Sequence, residues 1–138
     1  MYRSIVIAAA LFNHGATTRK LIEKANVLVD PEGAITLVHV LDEIPHYLAA
    51  SVTQDQIMDH RKALRAQLTS LAASAKATRV DIDVRGGTAP EQILECARET
   101  HADLIMIASH KPGLSDYFIG STASRVVRHA QTSVLVVR

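Results

Sequence analysis

The chain has 138 residues, of which 48 % are hydrophobic and 21 % are charged, and its formal net charge is +1. This length and balance are typical of one globular domain with a single core, so we expect residues 1–138 to form one domain. The near-neutral charge does not indicate a nucleic-acid partner. No apolar run approaches the roughly 20 residues that would insert into a membrane.

The single cysteine, Cys96, bears on the cellular compartment. One cysteine cannot form an internal disulfide, and Cys96 falls within a helical pattern without the spacing of a zinc site. The first residues lead directly into an apolar strand rather than a signal-peptide pattern. We therefore expect a cytoplasmic protein in which Cys96 is a plain helix residue.

Apolar runs of strand length alternate with segments of helical periodicity along the chain. Strands are predicted over residues 4–9, 35–41, 79–84, 103–108 and 133–137. Helices are predicted over residues 17–29, 54–75 and 89–100, and a further helix opens at Gly120-Ser121-Thr122. A turn is predicted at Pro31-Glu32-Gly33, before the second strand.

This alternation predicts an α/β fold, namely an open, doubly wound, Rossmann-like parallel sheet of five strands with helices on both faces. Right-handed crossovers favour the strand order 3-2-1-4-5, which makes strands one and four neighbours at the topological switch point. Their carboxyl ends then flank the crevice in which such sheets bind ligands. The residues at these two ends are Ala8, Ala9, Ala10, Ala108, Ser109 and His110.

The turn at Gly120, Ser121 and Thr122 returns to the same crevice, and we predict that it binds phosphate. Backbone N–H groups at a helix start have no intrahelical partner, so they can hold an anion. The alternative is an ordinary helix start that a hydroxyl caps. His110 either contacts the sugar or phosphate or is a plain loop histidine. Lys111 either pairs with a phosphate or lies in a solvated turn.

Acidic and histidine side chains also follow strand two. Asp42, Glu43 and His46 invite a metal or acid–base interpretation, but their spacing is loose and the loop is expected to face water. We predict no metal site there. His39, inside strand two, is expected to be a core or sheet-face histidine.

The C-terminal third of the chain resembles the universal stress protein family. The resemblance rests on the Ser109-His110 loop after a strand, on Gly120-Ser121 at a helix start, and on the closing apolar strand 134–138. Essentially the whole chain can be matched to the family. The Ala-Ser-His-basic-Pro form of the loop is similar to the F/G branch.

Three residues depart from the family pattern. ATP-binding members usually show Gly-x-x-Gly, nine residues, and then Gly-Ser or Gly-Thr. Here the two loop glycines are Ala108 and Lys111, and eight residues separate Lys111 from Gly120. In the family, an aspartate at the end of strand one reaches adenosine, and the matching residue here is Ala10. These changes weaken adenine specificity more than phosphate binding.

The resemblance implies a regulatory protein that binds ATP or AMP, with or without magnesium, in the crevice between strands one and four. It places Val40 against adenine, although a core valine at a strand end is the alternative. It also implies a homodimer in which the last strand, residues 133–138, pairs with its twin. An exposed apolar edge of this kind favours such pairing.

Two other functional classes remain open. A dimeric adaptor that has lost nucleotide binding would explain Ala10, Ala108 and Lys111. An enzyme of the wider nucleotide-binding superfamily would need motifs that the chain lacks, including a P-loop and a nucleophile elbow. We therefore expect no catalytic residues, and a role in stress response.

Overall fold

Five apolar segments form one parallel sheet in the computed structural model, which describes residues 1–42, 44–109 and 119–138. The strands are β1 (Tyr2–Ala8), β2 (Val29–Leu41), β3 (Arg79–Gly86), β4 (Leu104–Ala108) and β5 (Ser133–Val137). The helices are α1 (Ala16–Leu28), α2 (His46–Ala49), α3 (Gln54–Ala72), α4 (Ala89–Glu99) and α5 (Ser121–His129). A short 3₁₀ helix, Phe12–Gly15, precedes α1.

The strand order is β3-β2-β1-β4-β5, which confirms the predicted doubly wound α/β fold. β1 lies at the centre and pairs in parallel with β2 on one side and with β4 on the other. The chain therefore reverses its winding direction after β3. This reversal opens a crevice at the carboxyl ends of β1 and β4.

Helices cover both faces of the sheet and bury two hydrophobic clusters. α1 and α3 pack on one face through Leu21 and Leu68, and α4 and α5 pack on the other through Ile93 and Val126. All four side chains are buried, and each contributes roughly 1.5–3 kcal/mol through removal of apolar surface from water. Alternate residues of the central strands supply the two clusters, since side chains alternate across a sheet.

The second strand begins earlier than predicted. β2 starts at Val29, so the predicted turn at Pro31-Glu32-Gly33 lies inside the strand. The pairing shifts there, because Tyr2 faces Val29 whereas Ser4 faces Ala34. The turn residues are therefore the long side of a bulge, which keeps the strand extended while absorbing extra chain.

The long helix α3 begins at the predicted residue and ends three residues before the predicted end. Its start is fixed by a capping box, in which Thr53 and Gln56 satisfy each other's backbone N–H groups. Beyond its end, Asn26 of α1 donates to the Ser74 carbonyl and accepts from the Lys76 N–H. These tertiary hydrogen bonds replace further helical ones.

The link from β1 to α1 contains a left-handed turn that the sequence analysis did not predict. Asn13, His14 and Gly15 all have positive φ angles, of 53°, 55° and 74°. Asparagine and glycine tolerate this region, and histidine enters it at a modest cost. A side chain at Gly15 would also collide with Leu71, so glycine is required there on two grounds.

No helix within the described parts of the chain is long and apolar enough to cross a membrane.

Candidate functional site

A cavity of about 600 Å³ lies at the carboxyl ends of the central strands. Nine of the residues predicted for the site line it: Ala8, Ala9, Ala10, Val40, Ala108, Ser109, Gly120, Ser121 and Thr122. The other two, His110 and Lys111, lie outside the described residues. The volume falls within the range of small-molecule sites. Four separated segments of the sequence therefore meet around one cavity.

At one end of the cavity, the start of α5 presents backbone donors. The Gly120 N–H donates to the Ser109 carbonyl at 2.6 Å, so this amide is already used. The following N–H groups of Ser121, Thr122 and Ala123 have no intrahelical partner, and no side chain caps the helix. These amides, rather than that of Gly120, are the donors available to an anion.

Ala108, which stands where the family has a glycine, fits its position without strain. Ala108 is not among the described non-glycine residues with positive φ, so it needs no left-handed backbone. Replacement of glycine by alanine at this point therefore adds one methyl group to the cavity wall without backbone strain.

The floor of the cavity, at the end of β1, has its backbone polar groups paired within the protein. The Ala9 N–H donates to the Val38 carbonyl, and the Ala9 carbonyl accepts from Nδ1 of His39 at 2.9 Å. The buried Thr18 hydroxyl accepts from the Ala10 N–H at 2.8 Å and donates to the Ala10 carbonyl at 2.7 Å. The floor therefore presents mainly methyl groups to a ligand.

The wall formed by β2 offers a backbone donor and acceptor. The Val38 carbonyl faces β1, because it accepts from the Ala9 N–H. N–H and C=O groups alternate sides along a strand, so those of Val40 face the same way. The pairing of β1 with β2 ends at Ala8 and Val38. Both polar groups of Val40 therefore face the crevice beyond the end of β1.

Ten further residues line the cavity, and the sequence analysis did not assign them to the site. They are Leu11, Phe12, Val38, His39, Leu41, Asp42, Ala89, Ile93, Ile107 and Ala123. Eight are apolar, and those of β2 and the start of α4, namely Val38, Leu41, Ala89 and Ile93, form an apolar slot. Asp42 follows β2 directly, and its position at the carboxyl end of a central strand is the signal that could have identified it.

A partly buried cluster of charged side chains and Cys96 lies between β3 and α4, beside the cavity wall, since Asp83 and Arg85 pair with Val38 and Val40 of β2. Burial, reinforced by the Asp83 carboxylate, raises the pKa of the Cys96 thiol to about 12. Burial alone would lower the pKa of Arg85, but its hydrogen bonds to Glu99 and Asp83 raise it above the ordinary value. Cys96 is therefore a protonated core residue without nucleophilic character.

No group of three or more metal-ligating side chains occurs within residues 1–42, 44–109 and 119–138. Asp42 and His46, which invited the metal interpretation, are both described, whereas Glu43 is not.

Comparison with known proteins identifies the family. The family model described as "Universal stress protein family" matches residues 1–138. The chain belongs to the universal stress protein family. Universal stress protein G of Shigella flexneri is 32 % identical over 143 residues, and the match covers 100 % of both chains. This similarity supports the predicted F/G-like branch.

Solved structures of the universal stress protein family share the fold. UspA from Lactobacillus plantarum has a TM-score of 0.71 at 20 % identity and covers 99 % of this chain and 98 % of its own. A universal stress protein in complex with cAMP has a TM-score of 0.66 at 16 % identity, covering 99 % and 97 %. One from Archaeoglobus fulgidus in complex with dAMP has a TM-score of 0.61 at 21 % identity, covering 99 % and 98 %.

Proposed function

We propose that this universal stress protein binds an adenine nucleotide, ATP or AMP, in the cavity between β1 and β4 and acts as a regulatory protein in stress response. The observation that carries the proposal is the division of the cavity into two ends. One end presents the open amides of α5, and the other is an apolar slot beside Val40. Related proteins in complex with cAMP and dAMP support an adenine ligand.

The phosphate groups bind at the start of α5. The N–H groups of Ser121, Thr122 and Ala123 point toward an anion there, and the helix dipole adds a favourable contribution. The hydroxyl groups of Ser121 and Thr122 add further donors beside these amides. Neither Ala10 nor Ala108 participates through its side chain. A magnesium ion bound with ATP would be coordinated by phosphate oxygens and by water molecules, of which magnesium usually retains several.

The base lies in the apolar slot, with its edge toward Val40. Adenine carries a donor amino group beside acceptor ring nitrogens, and the C=O and N–H of Val40 form the complementary pair. Val38, Ile93 and Ile107 enclose the faces of the base. The proposed orientation therefore runs from the base at β2 to the phosphates at α5.

Titration calorimetry of the purified protein with ATP, with and without magnesium, tests the proposal. The protein is first checked by absorbance for nucleotide that co-purifies with it. We expect binding in the micromolar range. The absence of heat up to millimolar ATP, with no co-purified nucleotide, would contradict the proposal.

A charge placed at the start of α5 locates the binding site. In Ser121→Glu, the new carboxylate interacts favourably with the helix dipole, so the fold is retained, but it repels the phosphates. We expect ATP to bind at least about tenfold more weakly. Ser124→Glu is the matched control, because Ser124 lies on the same helix outside the cavity lining. Equal affinity of the two variants would mean that phosphate binds elsewhere.

Ala10 and Ala108 favour a second candidate function, an adaptor that works through its protein surface without nucleotide. Both residues lack the features that ATP-binding relatives use at the matching positions. The same titration separates the two functions, since an adaptor gives no heat with any adenine nucleotide.

We further propose that the protein is a cytoplasmic homodimer joined through β5 and that it acts without catalysis. β5 is an edge of the sheet and its side chains Val134, Leu135 and Val136 are partly exposed. A free, apolar edge strand favours pairing with another chain. The absence of any detectable release of phosphate from ATP is the result expected of a binding protein.

A further inference from the structure

The end of β1 cannot supply the polar group that a nucleoside needs. Ala10 has no carboxylate, and both of its backbone groups are bonded to the Thr18 hydroxyl. The Ala9 N–H and carbonyl are bonded to Val38 and His39. A ribose lying over this floor would meet methyl groups, and its hydroxyls would lose their hydrogen bonds to water without replacement.

A carboxylate, that of Asp42, lies at the end of β2, the strand next to β1. Asp42 lines the cavity together with Val38 and Val40, the alternate residues before it on β2. Among the described residues that line the cavity, Asp42 is the only acidic one. Adjacent strands are about 4.8 Å apart, so a side chain from the end of β2 can reach the space above the end of β1.

His39 is the other polar side chain at this end of the cavity, and it is less suited to the role. A carbonyl oxygen can only accept, so the 2.9 Å contact with Ala9 requires the proton on Nδ1 of His39. That bond ties the ring to the end of β1. No comparable bond within the described residues holds Asp42, which is exposed.

We propose that Asp42 is a specificity-determining residue that accepts hydrogen bonds from the vicinal 2′- and 3′-hydroxyls of the bound ribose. This inference rests on the proposed nucleotide function. A carboxylate offers only acceptors, and a vicinal diol offers two adjacent donors. The same negative charge repels phosphate, so it also orients the ligand with its phosphates toward Ser121 and Thr122. Asp42 thereby compensates for the absence of a carboxylate at Ala10.

The test is a thermodynamic cycle between the side chain and the sugar hydroxyl. Calorimetry measures the affinities of the wild-type protein and of Asp42→Ala for AMP and for 2′-deoxy-AMP. We expect the wild type to prefer AMP by about tenfold or more, because hydrogen bonds to charged groups are strong. In Asp42→Ala, AMP and 2′-deoxy-AMP should bind with nearly equal affinity, because AMP loses the hydrogen bonds of both hydroxyls and 2′-deoxy-AMP loses only that of its 3′-hydroxyl.

Two control variants make the result specific. Asp42→Asn keeps the shape and one acceptor, so it should retain part of the preference for AMP. Asp59→Ala removes an exposed carboxylate of α3 outside the cavity lining and should leave the preference intact. Thermal unfolding verifies that each variant is folded.

Three outcomes would overturn the inference. If Asp42→Ala weakens the binding of AMP and of 2′-deoxy-AMP by the same factor, the carboxylate contacts another part of the nucleotide. If the wild type does not distinguish the two nucleotides, the diol is not recognised. If neither nucleotide binds the wild type, the proposed function fails and this inference fails with it, a result distinct from the first two.

Discussion

The two edge strands of the sheet, β3 and β5, differ in the side-chain hydrogen bonds that their outward-facing backbone groups receive. Beyond β3, the Gly87 N–H donates to the Leu41 carbonyl, so Gly87 and every second residue before it direct their backbone groups toward β2. The intervening residues, including Ile82 and Val84, direct their backbone groups outward. Their carbonyls accept from two arginines of α3: Arg65 donates to Ile82 at 3.3 Å, and Arg61 donates to Val84 at 3.5 Å. Both acceptor carbonyls thus belong to outward-facing residues of β3.

Among residues 1–42, 44–109 and 119–138, no arginine covers the β5 edge in this way. The Ser109 N–H donates to the Val137 carbonyl, so Val137 and Leu135 face β4, and Val134 and Val136 face outward. Within the described chain, no side-chain hydrogen bond reaches the backbone of these two outward-facing residues. Lys20 donates to the carbonyl of Arg138, one residue beyond the strand.

This difference indicates opposite roles for the two edges. Charged side chains over an edge strand hinder pairing with another chain, whereas an open apolar edge permits it. α3 passes close enough to β3 for two arginines to reach its carbonyls. This contrast supports the proposed dimer through β5.

The largest effect is expected from a change to the open edge. Val136→Pro removes an outward-facing N–H while leaving intact the bonds of Leu135 and Val137 to β4. We expect the dimer to dissociate at micromolar concentration, with a loss of association of at least about a hundredfold. Sedimentation velocity measures the change.

Val136→Thr is the matched control for this variant, because it keeps the N–H and a β-branched side chain. It should remain dimeric. A dimer in Val136→Pro would place the interface elsewhere, and a wild-type protein that sediments as a monomer at micromolar concentration would remove the dimer proposal altogether.

A smaller effect is expected at the covered edge. Removing both arginines in Arg61→Ala/Arg65→Ala leaves two β3 carbonyls to water and should lower the free energy of unfolding by about 1 kcal/mol, since the contacts are long and partly exposed. It should also promote association through β3. Urea unfolding and light scattering in the Val136→Pro background measure the two effects.

Lys62→Ala removes a neighbouring exposed charge on α3 and serves as the control for the arginine pair. If both substitutions have equal effects on light scattering, the arginines do not protect the β3 edge.

Much of this organisation could be predicted from the sequence, because it depends on local pattern. Alternating apolar runs determine the strands, and right-handed crossovers determine their order. Five of the lining residues were assigned because the carboxyl ends of β1 and β4 must adjoin, three because they open a helix, and Val40 from the family resemblance. The start of α3 also has a local signature in Thr53 and Gln56.

Other features depend on contacts between distant segments. No local pattern shows that Thr18 occupies both backbone groups of Ala10, or that Ser109 uses the Gly120 amide. The left-handed turn before α1 is similar, because the close approach of Leu71 of α3 to Gly15 is a contact between distant segments. Asp42 was expected to lie in a loop that faces water, whereas the sheet places it at the cavity.

The smallest effect concerns the start of the central strands. The Asp103 carboxylate accepts from the N–H groups of Arg3 and Ser4, both at 2.9 Å. Burial alone would raise the pKa of Asp103, but these hydrogen bonds hold it below the ordinary value. The folded state therefore favours the charged form, so the stabilisation is present above about pH 4 and is lost as the pH falls through the lowered pKa. We expect Asp103→Asn to cost about 0.5 kcal/mol at pH 7 after allowance for solvent screening, and less at pH 3. Urea unfolding at both pH values, with Asp59→Asn as control, measures the difference. An equal cost at both pH values would show that the charge of Asp103 does not contribute.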